Sequence, residues 1–195
     1  MAHEHHHPDA PWLTAEAVAV LARWLEPDRV GFEWGSGRST VWFAQRVRQL
    51  ISIEHDLHWY AEITQRLERK GLAPKVSYRR VAVDDFVDSD QPYVAAISER
   101  QDGELDFCLV DGVTELRAYC ALACLAKLRR GGLVIIDNAN WFVPREPGSR
   151  APDSRGPAEG YASAAWQEFD AQVADWPCIW TSNGVTDTAI WSKPG

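Results

Sequence analysis

Apolar positions change their spacing several times along this 195-residue chain, and each change marks a new predicted element. Spacings of three and four residues predict helices, whereas short continuous or alternating apolar runs predict strands. The two kinds of element alternate from the first helix to about residue 138. Such a series is typical of a parallel sheet with helices on both faces.

Caps and breakers set the boundaries of these elements. Thr14 is the predicted N-cap of the first helix, Pro27 ends that helix, and Gly71 stands where a left-handed C-cap belongs. A short helix is also predicted after Pro92. The predicted helices are 14–26, 39–49, 57–70, 114–128 and 161–174, and the predicted strands are 29–33, 50–54, 76–83, 105–110 and 133–136.

The last quarter of the chain departs from this alternation. A loop over residues 141–160, rich in Pro, Gly and Arg, is long enough to predict a mobile lid. Two β-like runs then flank Asn183-Gly184, a dipeptide that favours a type I′ hairpin. We therefore predict a three-layer α/β fold with a mostly parallel sheet that ends in an antiparallel hairpin.

Composition adds few restrictions. The length and the 46% hydrophobic content suit a single domain over residues 14–195, preceded by a disordered tail over residues 1–13. The four histidines of that tail fit either a degenerate purification tag or a native start; they are His3, His5, His6 and His7. Without an apolar leader or membrane span, the expected location is cytoplasmic. The four cysteines match no metal spacing and are predicted to be reduced core thiols.

Charge narrows the expected partners. Twenty Lys and Arg residues against 28 Asp and Glu residues give a formal net charge of -8. A chain without a basic excess has little with which to displace the counterions of a nucleic acid. A small-molecule partner is therefore expected, and the oligomeric state stays open.

The segment Glu33-Trp34-Gly35-Ser36-Gly37-Arg38-Ser39-Thr40 lies where the first strand turns into a helix. Glycines let the backbone approach a ligand, and helix N–H groups face it. Here the chain resembles class I S-adenosylmethionine (SAM) methyltransferases, which have a Rossmann-like fold and a first motif of the form acidic-x-Gly-x-Gly. The resemblance implies that Glu33 acts on the methionine ammonium, directly or through water. It also implies that Gly35, Ser36 and Gly37 line the carboxylate and ribose, with Trp34, Ser39 and Thr40 in the same cofactor-binding segment.

Two further segments follow the next two strands. Glu54 lies about twenty residues beyond the glycine turn, where a carboxylate can accept both ribose hydroxyls; a solvated acid at a strand end is the alternative. His55 is then a neighbour of the adenosine. Asp84 and Asp85 resemble the acidic stretch that binds adenine in the family, and either could instead cap the following turn.

The stretch from Asp106 to Asn140 resembles the central signature of the same family. One apolar strand ends at Asp111, and the next ends at Asp137 and Asn138. Ligands bind outside the carboxyl ends of strands in open α/β sheets. Asp111 and Asp137 are therefore the candidate catalytic residues, Asp111 also being a candidate cofactor residue, with structural capping as the alternative.

These residues also resemble a metal triad. Asp111, Asp137 and Asn138 correspond to the divalent-metal ligands of catechol and caffeoyl-CoA O-methyltransferases, and oxygen ligands suit Mg²⁺. Those enzymes carry a lysine three residues after the first metal aspartate, where this chain has Thr114. Mg²⁺ is therefore a possible cofactor that we do not favour.

Arg117 and Cys120 resemble another branch, bacterial class I methyltransferases of unassigned substrate. Arg117 could bind an anionic acceptor, or it could pair with Glu115 or Asp111. Arg117, Asn138 and Trp141 are the predicted acceptor-binding residues.

The predicted function is SAM-dependent O- or N-methylation of a small molecule, with the acceptor undetermined. A nicotinamide-dependent oxidoreductase is one alternative, which the absence of a third glycine after Gly35 and Gly37 disfavours. A non-catalytic SAM-binding module is the other.

Overall fold

The computed structural model describes residues 10–84, 86–145 and 148–195. Within these ranges, seven strands form one sheet in the order β3-β2-β1-β4-β5-β7-β6. The strands are β1 Val30–Trp34, β2 Gln49–Glu54, β3 Val76–Arg80, β4 Leu105–Val110, β5 Leu128–Asp137, β6 Cys178–Ser182 and β7 Asp187–Ser192. The helices are α1 Ala15–Trp24, α2 Arg38–Ala44, α3 Leu57–Arg69, α4 Pro92–Ala95, α5 Arg117–Cys124 and α6 Ala164–Gln172.

The sheet is parallel from β3 to β5 and antiparallel at its other edge. β7 pairs with both β5 and β6 in the antiparallel sense. The predicted fold class is therefore confirmed. Because β7 runs opposite to β5, its first residues lie beside the carboxyl end of β5, with Thr188 opposite Asp137.

Two apolar layers cover the sheet. On one face, side chains of α1 and α2 pack against the central strands, with Leu21 and Phe43 among the fully buried residues. On the other face, α5 and α6 supply Cys120, Cys124 and Phe169. Every residue of β4 is buried, because helices cover both of its faces. This agrees with the continuous apolar run that predicted it.

The region between β4 and β5 differs most from its prediction. The predicted helix over 114–128 is a 3₁₀ turn, Thr114–Leu116, followed by α5, which ends at Cys124. β5 begins at Leu128, five residues earlier than predicted, since Leu128 pairs with Leu105 across an irregularity in the ladder. Pairing between distant residues overrides the local helical pattern here.

The C-terminal hairpin is present, but its turn is not type I′. Ser182 pairs with Asp187, so four residues form the loop. Gly184 has a φ of +81°, whereas Asn183 is not in the left-handed region that a type I′ turn requires. The Asn183 side chain instead accepts hydrogen bonds from the backbone N–H groups of Val185 and Thr186 at 2.8 and 2.9 Å. This local bonding replaces the predicted turn geometry.

The N-terminal segment is anchored earlier than the predicted tail implies. Thr14 caps α1 by accepting a hydrogen bond from the Ala17 N–H, as predicted. Leu13, which the prediction places in the tail, is buried against α1. Trp12 stacks on Trp59 with ring centroids 6.4 Å apart. The rest of the predicted tail, including its four histidines, lies outside the described residues.

The described part of the loop over 141–160 is bonded to the end of β5. Asn140 donates to the carbonyl of Pro152 and to the hydroxyl of Ser154, both at 3.2 Å. Its own carbonyl accepts from the backbone N–H of Arg155 at 2.9 Å. Glu146 and Pro147 lie outside the described residues, and the lid stays a prediction. No helix in the described ranges has the length and apolar character to cross a bilayer.

Candidate active site at the carboxyl edge of the sheet

A tight turn joins β1 to α2 and brings β1 close to β4. Gly35 has a φ of +87°, and a Cβ there would lie 2.6 Å from backbone atoms of Asp111. Only glycine fits this position. The turn therefore aligns the ends of β1 and β4 side by side, where the N–H groups at the start of α2 are available to a ligand.

Glu33 lies beneath this turn and is fully buried. Its Oε1 accepts hydrogen bonds from the hydroxyls of Thr40 and of Ser52, the latter at 2.7 Å. Its Oε2 is buried and accepts no hydrogen bond from the described residues, although the Ser39 hydroxyl lies close by. Burial raises the pKa of Glu33 to about 7. A buried oxygen of this kind needs a polar partner, and a ligand ammonium would supply one.

The pKa of Glu54 is shifted in the opposite direction from that of Glu33. Its Oε2 accepts from the N–H and hydroxyl of Ser36 at 2.9 and 2.7 Å, and its Oε1 accepts from the N–H groups of His55 and Asp56 at 2.8 and 2.9 Å. Burial works to raise the pKa of Glu54, but these hydrogen bonds and the His55 imidazole lower it to about 2. Glu54 is thus a fixed anion beside the glycine turn.

His55 and Asp84 lie beside this anion and at the adjacent strand end. The His55 Nδ1 is 3.0 Å from Glu54 Oε1, and this hydrogen bond raises the pKa of His55. Asp84 is exposed, and its backbone carbonyl accepts from the side chain of Gln91 at 3.0 Å. Asp85, the other candidate for adenine binding, lies outside the described residues.

Three residues of this region had no signal in the sequence. The Tyr78 hydroxyl is 2.6 Å from Ser36 Oγ, and the Trp59 indole N–H donates to the Ser36 carbonyl. Gln91 fixes the segment after β3 by donating to the carbonyls of Asp84 and Phe86. The Tyr78 and Trp59 contacts join residues 42 and 23 positions from Ser36, so no local motif contains them.

Trp34 is the one predicted cofactor residue whose side chain faces the core. Its indole is completely buried and donates a hydrogen bond to the Tyr93 carbonyl at 2.8 Å. Trp34 can therefore border a cofactor only through its backbone, and its place among the predicted cofactor-binding residues stays a prediction. Ser39 and Thr40 are buried too, and Thr40 links the turn to Glu33 by accepting from the Gly37 N–H at 2.9 Å.

Asp111 and Asp137 form an acid pair at the ends of β4 and β5. Asp137 is buried, and its Oδ1 accepts from the Thr188 hydroxyl at 3.2 Å. Burial, and then the charge of Asp111, raise the pKa of Asp137 to about 8. The Asp111 side chain is 26% exposed, and burial also raises its pKa, against the opposing effect of Arg117. Two adjacent carboxyl groups of this kind share one proton near neutral pH.

Arg117 lies between the two acids and pairs with Asp111, its Nη2 being 3.0 Å from Asp111 Oδ1. This is one of the two alternatives left open by the sequence. Asn138 adopts a left-handed backbone with a φ of 54°, and its Nδ2 donates to the Thr186 hydroxyl at 2.6 Å. Trp141 follows on the surface with 38% exposure. The three predicted acceptor residues are therefore close in sequence to Asp111 or Asp137. Arg117 bonds to Asp111, and Asn138 accepts from Arg117.

Comparison with known proteins identifies the class. The family model for a methyltransferase domain matches residues 32–139, more than half of the chain. The matched segment runs from β1 to just beyond β5 and includes the glycine turn, Glu54 and the acid pair. The chain therefore belongs to this methyltransferase family and is a SAM-dependent methyltransferase. This assignment favours methyl transfer over the nicotinamide and non-catalytic alternatives.

Solved structures agree on the fold. The O-methyltransferase TomG from Streptomyces achromogenes, involved in tomaymycin synthesis and solved with SAM, is 20% identical, with 98% of this chain and 86% of that chain covered and a TM-score of 0.66. A methyltransferase from Geobacter sulfurreducens is 16% identical, with 100% and 85% covered and a TM-score of 0.63. Precorrin-8w decarboxylase from Methanobacterium thermoautotrophicum is 17% identical, with 96% and 95% covered and a TM-score of 0.58. No curated protein matches the chain.

Proposed function

We propose that this enzyme binds SAM along the carboxyl ends of β1, β2, β3 and β4 and methylates a small-molecule acceptor beside the ends of β4 and β5. The observation that carries the proposal is the buried Oε2 of Glu33, which has no partner in the described residues and lies under the glycine turn. When bound, SAM supplies an activated methyl group on a sulfonium. The protein then has to hold the two reactants in line and exclude water.

The residues of the turn fit the parts of SAM. Glu33 would accept from the ammonium, and the backbone of Gly35, Ser36 and Gly37 would face its carboxylate and ribose. Glu54 would accept from the ribose hydroxyls. Because its oxygens already accept hydrogen bonds from Ser36, from Asp56 and from both the N–H and the imidazole of His55, these hydroxyls share Glu54 with protein donors. His55 and Asp84 are proposed to border the adenosine.

Asp111 is the member of the acid pair that we propose as proton acceptor. Asp137 has the less exposed side chain and the higher pKa, so it retains the shared proton, and Asp111, which pairs with Arg117, carries the negative charge. Asp111 also has the more exposed carboxyl group and can reach an acceptor O–H or N–H. Trp141, which follows Asp137 by four residues, offers an exposed indole surface. The net charge of -8 argues for a small acceptor over a nucleic acid.

Cofactor binding can be tested by measuring the protons that the protein releases when the ligand binds. We expect S-adenosylhomocysteine (SAH) to bind with low-micromolar to submillimolar affinity, and Glu33 to become ionised when it receives the ammonium. Since its pKa is about 7 in the free protein, binding at pH 7 should release a fraction of a proton. Calorimetry in buffers of different ionisation enthalpy measures this release.

Glu33→Gln should abolish the proton release and weaken SAH binding about tenfold or more, because it removes a charge-assisted hydrogen bond. Glu62→Gln is the matched control, since Glu62 lies on the surface of α3, where its carboxylate pairs with Arg66. If Glu33→Gln binds SAH like the wild type, Glu33 does not contact the ammonium.

The proposed role of Asp111 in methyl transfer to an acceptor needs a separate experiment. With radiolabelled SAM and a panel of phenols, hydroxy acids and amines, we expect the wild type to methylate at least one compound. Asp111→Asn should lose about 100-fold or more in turnover, as expected for loss of a general base, while its affinity for SAH stays within about threefold. Full activity of Asp111→Asn would remove Asp111 from the chemistry without affecting the cofactor assignment.

A further inference from the structure

The guanidinium group of Arg117 is surrounded by oxygen atoms. It is 7% exposed and lies between the ends of β4 and β5. A guanidinium has five N–H donors, and five contacts use them. The acceptors are Asp111 Oδ1 at 3.0 Å, Asn138 Oδ1 at 3.1 Å, and the backbone carbonyls of Gly112 at 3.0 Å, Asp111 at 3.1 Å and Asp137 at 2.9 Å.

This arrangement does not fit a divalent metal on the triad suggested by the sequence. Asp111 Oδ1 and the Asn138 side-chain oxygen both accept from the guanidinium, and Asp137 Oδ1 accepts from Thr188. A Mg²⁺ ion bound to those oxygens at its usual distance would lie within about 5 Å of a permanent cation, which would repel it.

We infer that the guanidinium of Arg117 is the cation of this active site and takes the place of a divalent metal ion. It occupies the place between the two strand ends that a divalent ion would need, and it makes methyl transfer independent of metal. Arg117 acts as a positioning residue: it holds Asp111 and Asn138 in fixed orientations and has no N–H left for an anionic acceptor. The inference rests on the proposed function only in placing the acceptor at this edge of the sheet.

An arginine and a lysine are not equivalent here, because the five acceptors lie at the ends of two different strands, β4 and β5. A lysine ammonium has three donors around one nitrogen, whereas the guanidinium fork spans the carbonyls of Asp111 and Asp137 at the same time. Arg117→Lys should therefore keep the charge but lose part of the connection between β4 and β5.

The first test is a Mn²⁺ titration of the full-length wild type with SAH present, followed by electron paramagnetic resonance of the free ion. We expect no saturable binding that depends on Asp111 up to about 1 mM Mn²⁺. Binding that persists in Asp111→Asn belongs to another part of the chain, such as the histidines near the N-terminus, and agrees with the inference. A site that saturates below about 1 mM Mn²⁺ and that both Asp111→Asn and Asn138→Ala abolish would overturn it.

The second test uses chemical rescue. Arg117→Ala should melt several degrees below the wild type. About 20 mM guanidinium should raise its melting temperature and its SAH affinity, because the free ion can bind to the five oxygen acceptors that the substitution leaves without a donor. Arg130→Ala, which removes an exposed arginine near the start of β5, should show neither the loss nor the rescue. A melting temperature of Arg117→Ala equal to that of the wild type contradicts the inference.

The two tests fail independently. If Arg117→Ala does not fold, the wild-type titration decides the question by itself, and Arg117→Lys provides the stability comparison. If the wild type does not bind SAH, the proposed function is wrong, while a Mn²⁺ titration without SAH still shows whether the triad holds a metal.

Discussion

The two glycines of the β1–α2 turn have different roles although they are two residues apart. Gly35 has a positive φ and lies against the backbone of Asp111, so any side chain there would push β1 away from β4. Gly37 has an extended backbone with a φ of 171°, and an added Cβ would lie 3.7 Å from the Trp59 ring. The fold therefore requires glycine at position 35 but has room for a small side chain at position 37.

This difference predicts opposite outcomes for two substitutions. Gly35→Ala should lower the free energy of unfolding by about 2 kcal/mol or more, since it combines backbone strain with a steric clash. Gly37→Val should keep its helix and strand content but lose SAH binding, because its side chain would crowd a ligand that approaches the turn. Thermal unfolding followed by circular dichroism and calorimetry with SAH measure both effects.

Two results would contradict this interpretation. A Gly35→Ala protein as stable as the wild type would show that the turn can relax. Normal SAH affinity of a folded Gly37→Val protein would show that the cofactor lies elsewhere.

At the scale of elements, the sequence predicted best what is determined locally. β4 matches its prediction because six consecutive residues are buried on both faces. Glu33, Glu54 and Asp111 lie at one edge of the sheet because parallel strands place their carboxyl ends together, so position along a strand is enough to predict which side chains gather there. The first residues of β5 were missed because their pairing depends on residues more than twenty positions away.

Contacts between elements account for the other differences. The Thr188 hydroxyl bonds to Asp137 because β7 inserts beside β5, and no periodicity in either segment contains that information. Trp34 directly follows Glu33 in β1. Because side chains alternate along a strand, its indole lies on the opposite face and donates to the Tyr93 carbonyl. Arg117 was noticed as a charged residue, but its five acceptors come from two strand ends and became visible only in three dimensions.

At the scale of the whole molecule, buried acids make stability depend on pH in both directions. Glu33 and Asp137 have pKa values raised to about 7 and about 8, so the stability they provide is complete at low pH and is lost as pH rises through those values. Glu54, with its pKa lowered to about 2, provides stability above its ordinary value of 4.5, and this is lost as pH falls toward 2. The protein should therefore be most stable in mildly acidic solution.

Melting temperatures measured from pH 4 to 9 test this profile. We expect stability to decline between about pH 4.5 and about pH 8 and to level off above pH 8, with a limit of about 1.4 kcal/mol per pH unit for each group that is ionised in the unfolded chain but still protonated in the folded protein. Asp137→Asn should flatten the decline, since the amide keeps the size of the side chain and cannot ionise. The control Asp175→Asn, on the surface after α6, should follow the wild type. An unchanged slope in Asp137→Asn would mean that Asp137 is ionised in the folded protein throughout this range.

The order of strands in the sheet also has a consequence during synthesis on the ribosome. β5 ends at Asp137 and β7, its neighbour in the sheet, starts fifty residues later at Asp187. Until β7 has been translated, the apolar residues Val134, Ile135 and Ile136 form an unpaired sheet edge of the kind that recruits strands from other chains. A stop codon before Asp187 would therefore release a polypeptide that contains all the proposed cofactor-binding residues and yet tends to aggregate.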